Sequence, residues 1–265
     1  TSQVAVMCVN AGIDLILMPL DEVKSVNAIE SAVLNNEISV ERIDRSVEKI
    51  LKAKQWLGLF ENKYVNETDL YKSINTSEAG TIAQKIADES ITLVKDDNSV
   101  LPFKQKDGDK TAVVIISEGG DVDNTGFLKS AAGEYFPGCS FYTATSTGMD
   151  PFLANNTGEL AQYDRVIIAI YAKIRYGTGK ISISSSNVAL IQDLNSINKN
   201  TVAVSLGNPY LLKEFPEIAS YICAYGDSDF SITAALKAIS GMVKFKGKLP
   251  VSIDENHKTG TSILK

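Results

Sequence analysis

Histidine and tryptophan occur once each, at His257 and Trp56, and cysteine only at Cys8, Cys139 and Cys223. One imidazole and scattered thiols cannot assemble a conventional zinc site, which draws on several nitrogen and sulfur ligands. An odd cysteine count without a C-x-x-C pair implies no disulfide framework, although one pair could still meet in space. No apolar run reaches the roughly 18 residues of a transmembrane helix. Lys plus Arg number 26 against 32 for Asp plus Glu, a formal net charge of -6. The clustered cations that neutralise a phosphate backbone are absent, so nucleic acid is not an expected partner. Gly119-Gly120 and Gly177-x-Gly179-Lys180 reproduce neither nucleotide-binding glycine fingerprint. Asp121-x-Asp123 and Asp227-x-Asp229 lack the spacing of a calcium loop and read as turns or helix starts. No metal and no cofactor are expected. Disorder and collagen-like repetition are excluded too, because 44% hydrophobic and 22% charged residues are ordinary for a globular chain.

What is present is a change of rhythm. Residues 13–18 form a short apolar run closed by Pro19, read as a buried strand. Asp21 is a candidate N-cap for a helix through Val23, Val26, Ile29 and Val33, with Asn35-Asn36 as its stop. A second helix starts at Ser39, with Ile38 and Ile43 as a hydrophobic staple, and ends at Gly58. Trp56, beside Leu57, reads as core. Residues 61–76 are polar and aperiodic, a linker, and a third helix runs from Ser77 to Glu89. From there, apolar strands at 91–94, 111–116, 140–143, 165–171, 201–206 and 220–224 alternate with helical stretches near 124–134, 152–162, 186–198 and 228–240. Such alternation predicts an α/β sandwich of three layers around a mainly parallel sheet. The opening strand and two helices do not make a domain alone. The chain opens on Thr1 rather than Met and reads as a piece of a longer polypeptide.

Specific stretches carry a likeness. Ala11-Gly-x-Asp-x-x-Leu-Met-Pro19, Ile38-Ser-x-x-Arg-Ile43 and Ile50-Leu-x-x-Lys-x-x-Leu-Gly-Leu59 resemble the end of the catalytic barrel of glycoside hydrolase family 3. Glu89-Ser-Ile-Thr-Leu-Val-Lys95 with Val100-Leu-Pro-Phe103 resembles the start of that family's second domain. Gly247-Lys-Leu-Pro-Val-Ser-Ile253 resembles its closing strand. The resemblance implies four regions: 1–60, the last strand and helices of an incomplete TIM-like (β/α)8 barrel; 61–90, a linker and connecting helix; 91–253, the α/β domain; and 254–265, a tail or linker that leaves room for a further C-terminal domain. It also implies two partners, the remaining barrel and a carbohydrate substrate. A bacterial periplasm or cell envelope is the implied compartment.

A retaining glycosidase needs a carboxylate nucleophile and an acid that later acts as base. The resemblance puts the nucleophile, an Asp, on a strand before Thr1. In the family's β-glucosidases the acid is a Glu of the second domain, on the loop after the 165–171 strand. From Arg165 to Gln192 there is no Asp or Glu. The β-N-acetylglucosaminidases of the family instead use a His-Asp pair on a barrel loop, and that branch fits a second domain without a catalytic Glu. The expectation is a β-N-acetylglucosaminidase fragment, inactive alone and holding no catalytic residue. A β-glucosidase of the same family and a non-catalytic carbohydrate-binding or scaffolding module are the alternatives. Met18, Asp21, Arg175 and Tyr176 are the candidate substrate-binding residues. Met18 and Asp21 lie at the C-terminal end of the first strand, where barrel sites form. Arg175 could pair with a substrate carboxylate, and Tyr176 could stack on a sugar ring. Each also has a plainer reading: core packing for Met18, helix capping for Asp21, a domain contact for Arg175 and Tyr176. Asp14 reads as a structural hydrogen-bonding residue and His257 as solvated in a polar tail.

Overall fold

The computed structural model describes residues 2–104, 106–118, 125–145, 148–172 and 183–265. The chain divides into two compact units, Thr1–Thr76 and Ser77–Lys265.

The first unit is helical: α1 (Ser2–Asn10), α2 (Glu22–Leu34), α3 (Val40–Trp56) and the single turn α4 (Leu70–Ser73). Each long helix starts and stops for a local reason. The Asp21 side chain accepts the Lys24 N–H at 2.9 Å and caps α2. Asn36, at φ +59°, turns the chain out of that helix. The Ser39 hydroxyl accepts the Arg42 N–H at 3.2 Å and caps α3. At its other end Gly58, at φ +69°, lets its own N–H reach the Gln55 carbonyl and the Leu59 N–H reach that of Lys54. That pair of bonds is a Schellman stop, and glycine is required because the left-handed turn penalises a Cβ. Ile38 is buried with Val9 and Ala32, and Ile43 packs against them, so the staple forms as expected.

Two expectations fail in this unit. Residues 13–18 are not a strand; they run irregularly between α1 and α2. A strand exists by its ladder, and the described residues of this unit contain no second strand to pair with. Trp56 is not core: it is 84% exposed at the end of α3. The apolar stripe of α3 shares that fate, with no buried residue along the helix.

The second unit opens with α5 (Ser77–Ser90) and continues β1 (Thr92–Asp96), β2 (Thr111–Glu118), α6 (Thr125–Tyr135), β3 (Ser140–Thr145), α7 (Pro151–Asn156), β4 (Arg165–Ala172), α8 (Ser185–Ile197), β5 (Thr201–Ser205), β6 (Ser220–Cys223) and α9 (Asp229–Ser240). The six strands form one sheet in the order β1-β6-β5-β4-β2-β3. Among the described strands only the β1–β6 pair is antiparallel. β4 is buried at all eight positions and β5 at all five, as befits strands covered on both faces.

Alternation along the strands sorts two cores. Val113, Ile115, Ile167, Ala169 and Val204 face α5, α6 and α9. Ala112, Val114, Ile116, Ile168 and Ile170 face α7, α8 and the short turn carrying Leu211 and Leu212. The predicted three-layer α/β architecture is therefore present. The α5 helix, read as a connector, is part of this unit. Gln84 donates to the Phe230 carbonyl at 3.3 Å, and Asp88 pairs with Lys237 at 3.2 Å, both on or beside α9.

The C-terminal stretch departs from expectation. Residues 247–253 form no strand, and 254–265 are no free linker. Gly247 N–H donates to the Ile91 carbonyl, Leu249 to Thr261, and Ile263 to Leu93. The chain thus doubles back along β1 and covers the sheet's open edge, where unpaired backbone groups would otherwise face solvent. A Cβ on Gly247 would fall 2.0 Å from the Ser90 carbonyl oxygen, so only glycine permits this approach. Nor is His257 free in solvent. Its Nδ1 lies 2.9 Å from the Asp254 carboxylate, with the imidazole 23% exposed. All three cysteines are free thiols.

Candidate functional site

In parallel α/β sheets, ligands bind beyond the carboxyl ends of the strands, at the point where strand order reverses. Here that point lies between β2 and β4, since β3 follows on one side and β5 and β6 on the other. Glu118 closes β2 there, in register with Ala172 at the end of β4. Its Oε1 accepts the Ser184 N–H at 2.6 Å and the Asn187 side-chain amide at 2.7 Å. Ser184 and Asn187 open α8, so Glu118 ties the start of that helix to the end of β2. One step back along β4, Tyr171 is 3% exposed and its hydroxyl is buried without a hydrogen-bond partner among the described residues. Burial raises the Tyr171 pKa well above the ordinary phenol range, and the negative charges of Asp227 and Asp229 raise it further. Tyr225, at φ +60°, donates to the Thr92 hydroxyl at 2.8 Å. Burial is the first cause holding its phenol neutral, with a pKa raised to about 12.

Glu118 is thus an acceptor that positions backbone, and Tyr171 and Tyr225 are neutral. Glu118 was missed in the sequence because its partners are 66 and 69 residues away. The only local hint is a carboxylate two positions beyond the apolar run Ala112–Ile116. Among the described residues no cluster of three or more His, Cys, Asp or Glu could hold a metal ion. Asp229 sits in the first turn of α9, next to the Ser228 cap, which is the helix-start reading of that acidic pair.

In the first unit, the 13–21 segment is tied down by charge. Arg42 donates from Nε to the Val9 carbonyl at 3.1 Å and from Nη2 to the Ile13 carbonyl at 3.2 Å. Asp14 accepts from the Ser46 hydroxyl at 2.7 Å and from Lys49 at 2.8 Å. The hydrogen bond from Lys49, then that from Ser46, holds the Asp14 carboxyl below its usual range. Asp14 is therefore a structural residue. Beyond this anchor Met18 adopts φ +49° and stands 93% exposed. A left-handed conformation is uncommon for such a side chain and merits attention. Met18 lines a shallow, mainly apolar groove of about 330 Å³ with Cys8, Leu17 and Leu20. Asp21 does not line it. Its carboxylate caps α2 and pairs with Lys24 at 3.0 Å. Arg175 and Tyr176 lie outside the described residues.

A mostly parallel sheet with one antiparallel edge strand, helices on both faces and a structural carboxylate at the switch point defines an α/β sandwich domain. The chain belongs to glycoside hydrolase family 3: residues 91–262 match the family described as "Glycosyl hydrolase family 3 C-terminal domain". It is 24% identical to a beta-N-acetylglucosaminidase/beta-glucosidase of Cellulomonas fimi, over 94% of this chain and 46% of that protein. It is 31% identical to a periplasmic beta-glucosidase/beta-xylosidase of Dickeya chrysanthemi, over 38% of this chain and 14% of the relative. A solved family 3 beta-N-acetylglucosaminidase from Paenibacillus sp. str. FPU-7 superposes with a TM-score of 0.76 at 22% identity, covering 97% of this chain and 48% of that one. The chain thus spans about half the length of the relatives that it matches end to end. Among the described residues no helix is long and apolar enough to cross a membrane.

Proposed function

We propose that this chain is the C-terminal part of a retaining glycosidase that releases β-linked N-acetylglucosamine. Its role there is to complete the barrel and support the site entrance. The Asp nucleophile and the His-Asp acid/base pair lie in the part of the enzyme that this chain lacks. The observation that carries this reading is the acid-free stretch from Arg165 to Gln192 in a chain of this family. Glu118, the carboxylate that ends β2 at the β2–β4 switch point, already accepts two hydrogen bonds that hold the start of α8. Met18 is assigned to the sugar pocket, supported by its exposure and its left-handed backbone. Arg175 and Tyr176 are assigned substrate contacts on the strength of the family resemblance. Asp21 is assigned to capping, because both of its oxygens are engaged. The cell envelope or periplasm is the proposed compartment, in line with the periplasmic relative.

The test is hydrolysis of an aryl β-N-acetylglucosaminide and an aryl β-glucoside, by this 265-residue chain and by the full-length enzyme. The chain alone should turn over neither substrate, and the full enzyme should prefer the amino sugar. Turnover by the repurified chain would place catalytic carboxylates among these residues. A full enzyme strongly favouring the glucoside would overturn the assignment to the amino-sugar branch.

A further inference from the structure

The opposite end of the sheet, where β2, β4 and β5 begin, carries a second cleft. It is about 460 Å³ in volume and is walled by Val100, Phe103, Lys104, Lys106 and Asp109, the turn before β4 and the turn before β5. Arg165 lines it and is the first residue of β4, with a side chain only 5% exposed. Its Nη2 donates to Asp109, and its guanidinium stacks 5.2 Å from the centre of the Phe103 ring. The other terminal nitrogen, Nη1, is buried with no acceptor among the described residues. A buried guanidinium donor without a partner is costly and calls for an explanation. Around it stand Lys104, Lys106 and Lys199. Among the described residues their ammonium groups make no hydrogen bond or ion pair.

The two acids in the wall are already engaged. Asp109 accepts from Arg165 and from the Lys106 N–H, and Asp164 accepts the Lys110 N–H at 2.6 Å. The Leu194 carbonyl, in the last turn of α8 beside the cleft, accepts from the Asn198 N–H and the Thr201 hydroxyl. Four cations against two acids leave this cleft two positive charges, in a chain whose net charge is -6.

We propose that this cleft binds the phosphoryl group of a small phosphorylated ligand. Arg165 is the inner cation, and Lys104, Lys106 and Lys199 neutralise the outer oxygens. Guanidinium and ammonium groups recognise a dianionic oxygen cluster by charge-assisted hydrogen bonds, which are stronger than neutral ones. The volume suits a ligand the size of a monosaccharide phosphate. The site does not depend on the glycosidase reading, since it sits at the strands' amino ends and uses none of the residues assigned to the sugar.

Titration calorimetry of the full 265-residue chain with inorganic phosphate and with glucose 6-phosphate, each against chloride at equal ionic strength, tests the proposal. One saturable site is expected for at least one of the two probes. The tighter probe tells whether the natural ligand is the free ion or an organic phosphate. K104Q/K199Q alters only exposed side chains and should weaken binding about tenfold or more. R165M should abolish it, with calorimetric unfolding as the check on folding. Titrations indistinguishable from chloride, or binding unchanged in K104Q/K199Q, would overturn the proposal.

Discussion

Asp96 is the residue on which the C-terminal stretch closes, and its removal has a calculable cost. Its carboxylate is fully shielded from solvent. It accepts the Val100 N–H at 3.1 Å, the Leu101 N–H at 3.4 Å, the Ser220 hydroxyl at 2.8 Å and the Lys265 ammonium. One side chain thus joins β1, β6, the connection to β2 and the chain's last residue. In Asp96→Ala the Val100, Leu101 and Ser220 donors lose their acceptor, and Lys265 keeps only the Leu101 carbonyl at 3.3 Å. Breaking a buried ion pair from one side costs about 3–5 kcal/mol. The lower end applies here because Lys265 is 27% exposed and can rehydrate. A loss of about 3 kcal/mol in a unit of this size lowers its melting temperature by about 6–12 °C. Scanning calorimetry of the full chain reads this on the transition of the Ser77–Lys265 unit. Lys265→Met leaves the fully shielded Asp96 carboxylate with three neutral donors and no cation, so it should cost about 3 kcal/mol as well. Were Asp96→Ala and Lys265→Met both within about 0.5 kcal/mol of the parent, the range of unremarkable surface changes, the closure would be wrong. Residues 254–265 would then be the linker that their composition suggests.

Gly247→Ala forces a methyl group into the Ser90 carbonyl and should destabilise the second unit by about 3 kcal/mol. Denaturant unfolding showing less than about 1 kcal/mol would mean that the backbone does not approach so closely. Glu118→Ala removes the acceptor for two donors and should cost about 1–3 kcal/mol. Its signature is faster hydrogen exchange at the Ser184 amide with the β4 amides still protected, and an unchanged Ser184 rate would count against the anchoring role. The Asp14 pKa is depressed in the folded chain, so its contribution is complete above the ordinary carboxylate range near ~4 and is lost as pH falls through the lower folded value. Acid unfolding of the first unit should therefore be less steep in Asp14→Asn than in the parent. Parallel acid titrations of the two proteins would remove Asp14 from the explanation.

The six strands and the long helices of the second unit were legible because each writes its own period. Runs such as Ala112–Ile116 and Val166–Tyr171 are apolar at every position, as strands covered on both faces must be. Asp21, Ser39 and Gly58 mark helix ends by chemistry that acts within four residues. The absence of an acid between Arg165 and Gln192 was legible too, since composition needs no coordinates. Residues 13–18 were misread because an apolar run specifies a strand only where a neighbour supplies a ladder. Trp56 was misread because side-chain character does not say whether a partner covers it. The clasp of Lys265 on Asp96 joins residues 169 positions apart, and Glu118 reaches Asn187 across 69. No local pattern encodes such pairs. The linear code determined which segments become helix and strand and where the helices stop. Only tertiary structure decided which polar groups meet, because a hydrogen bond selects its partner by distance in space rather than along the chain.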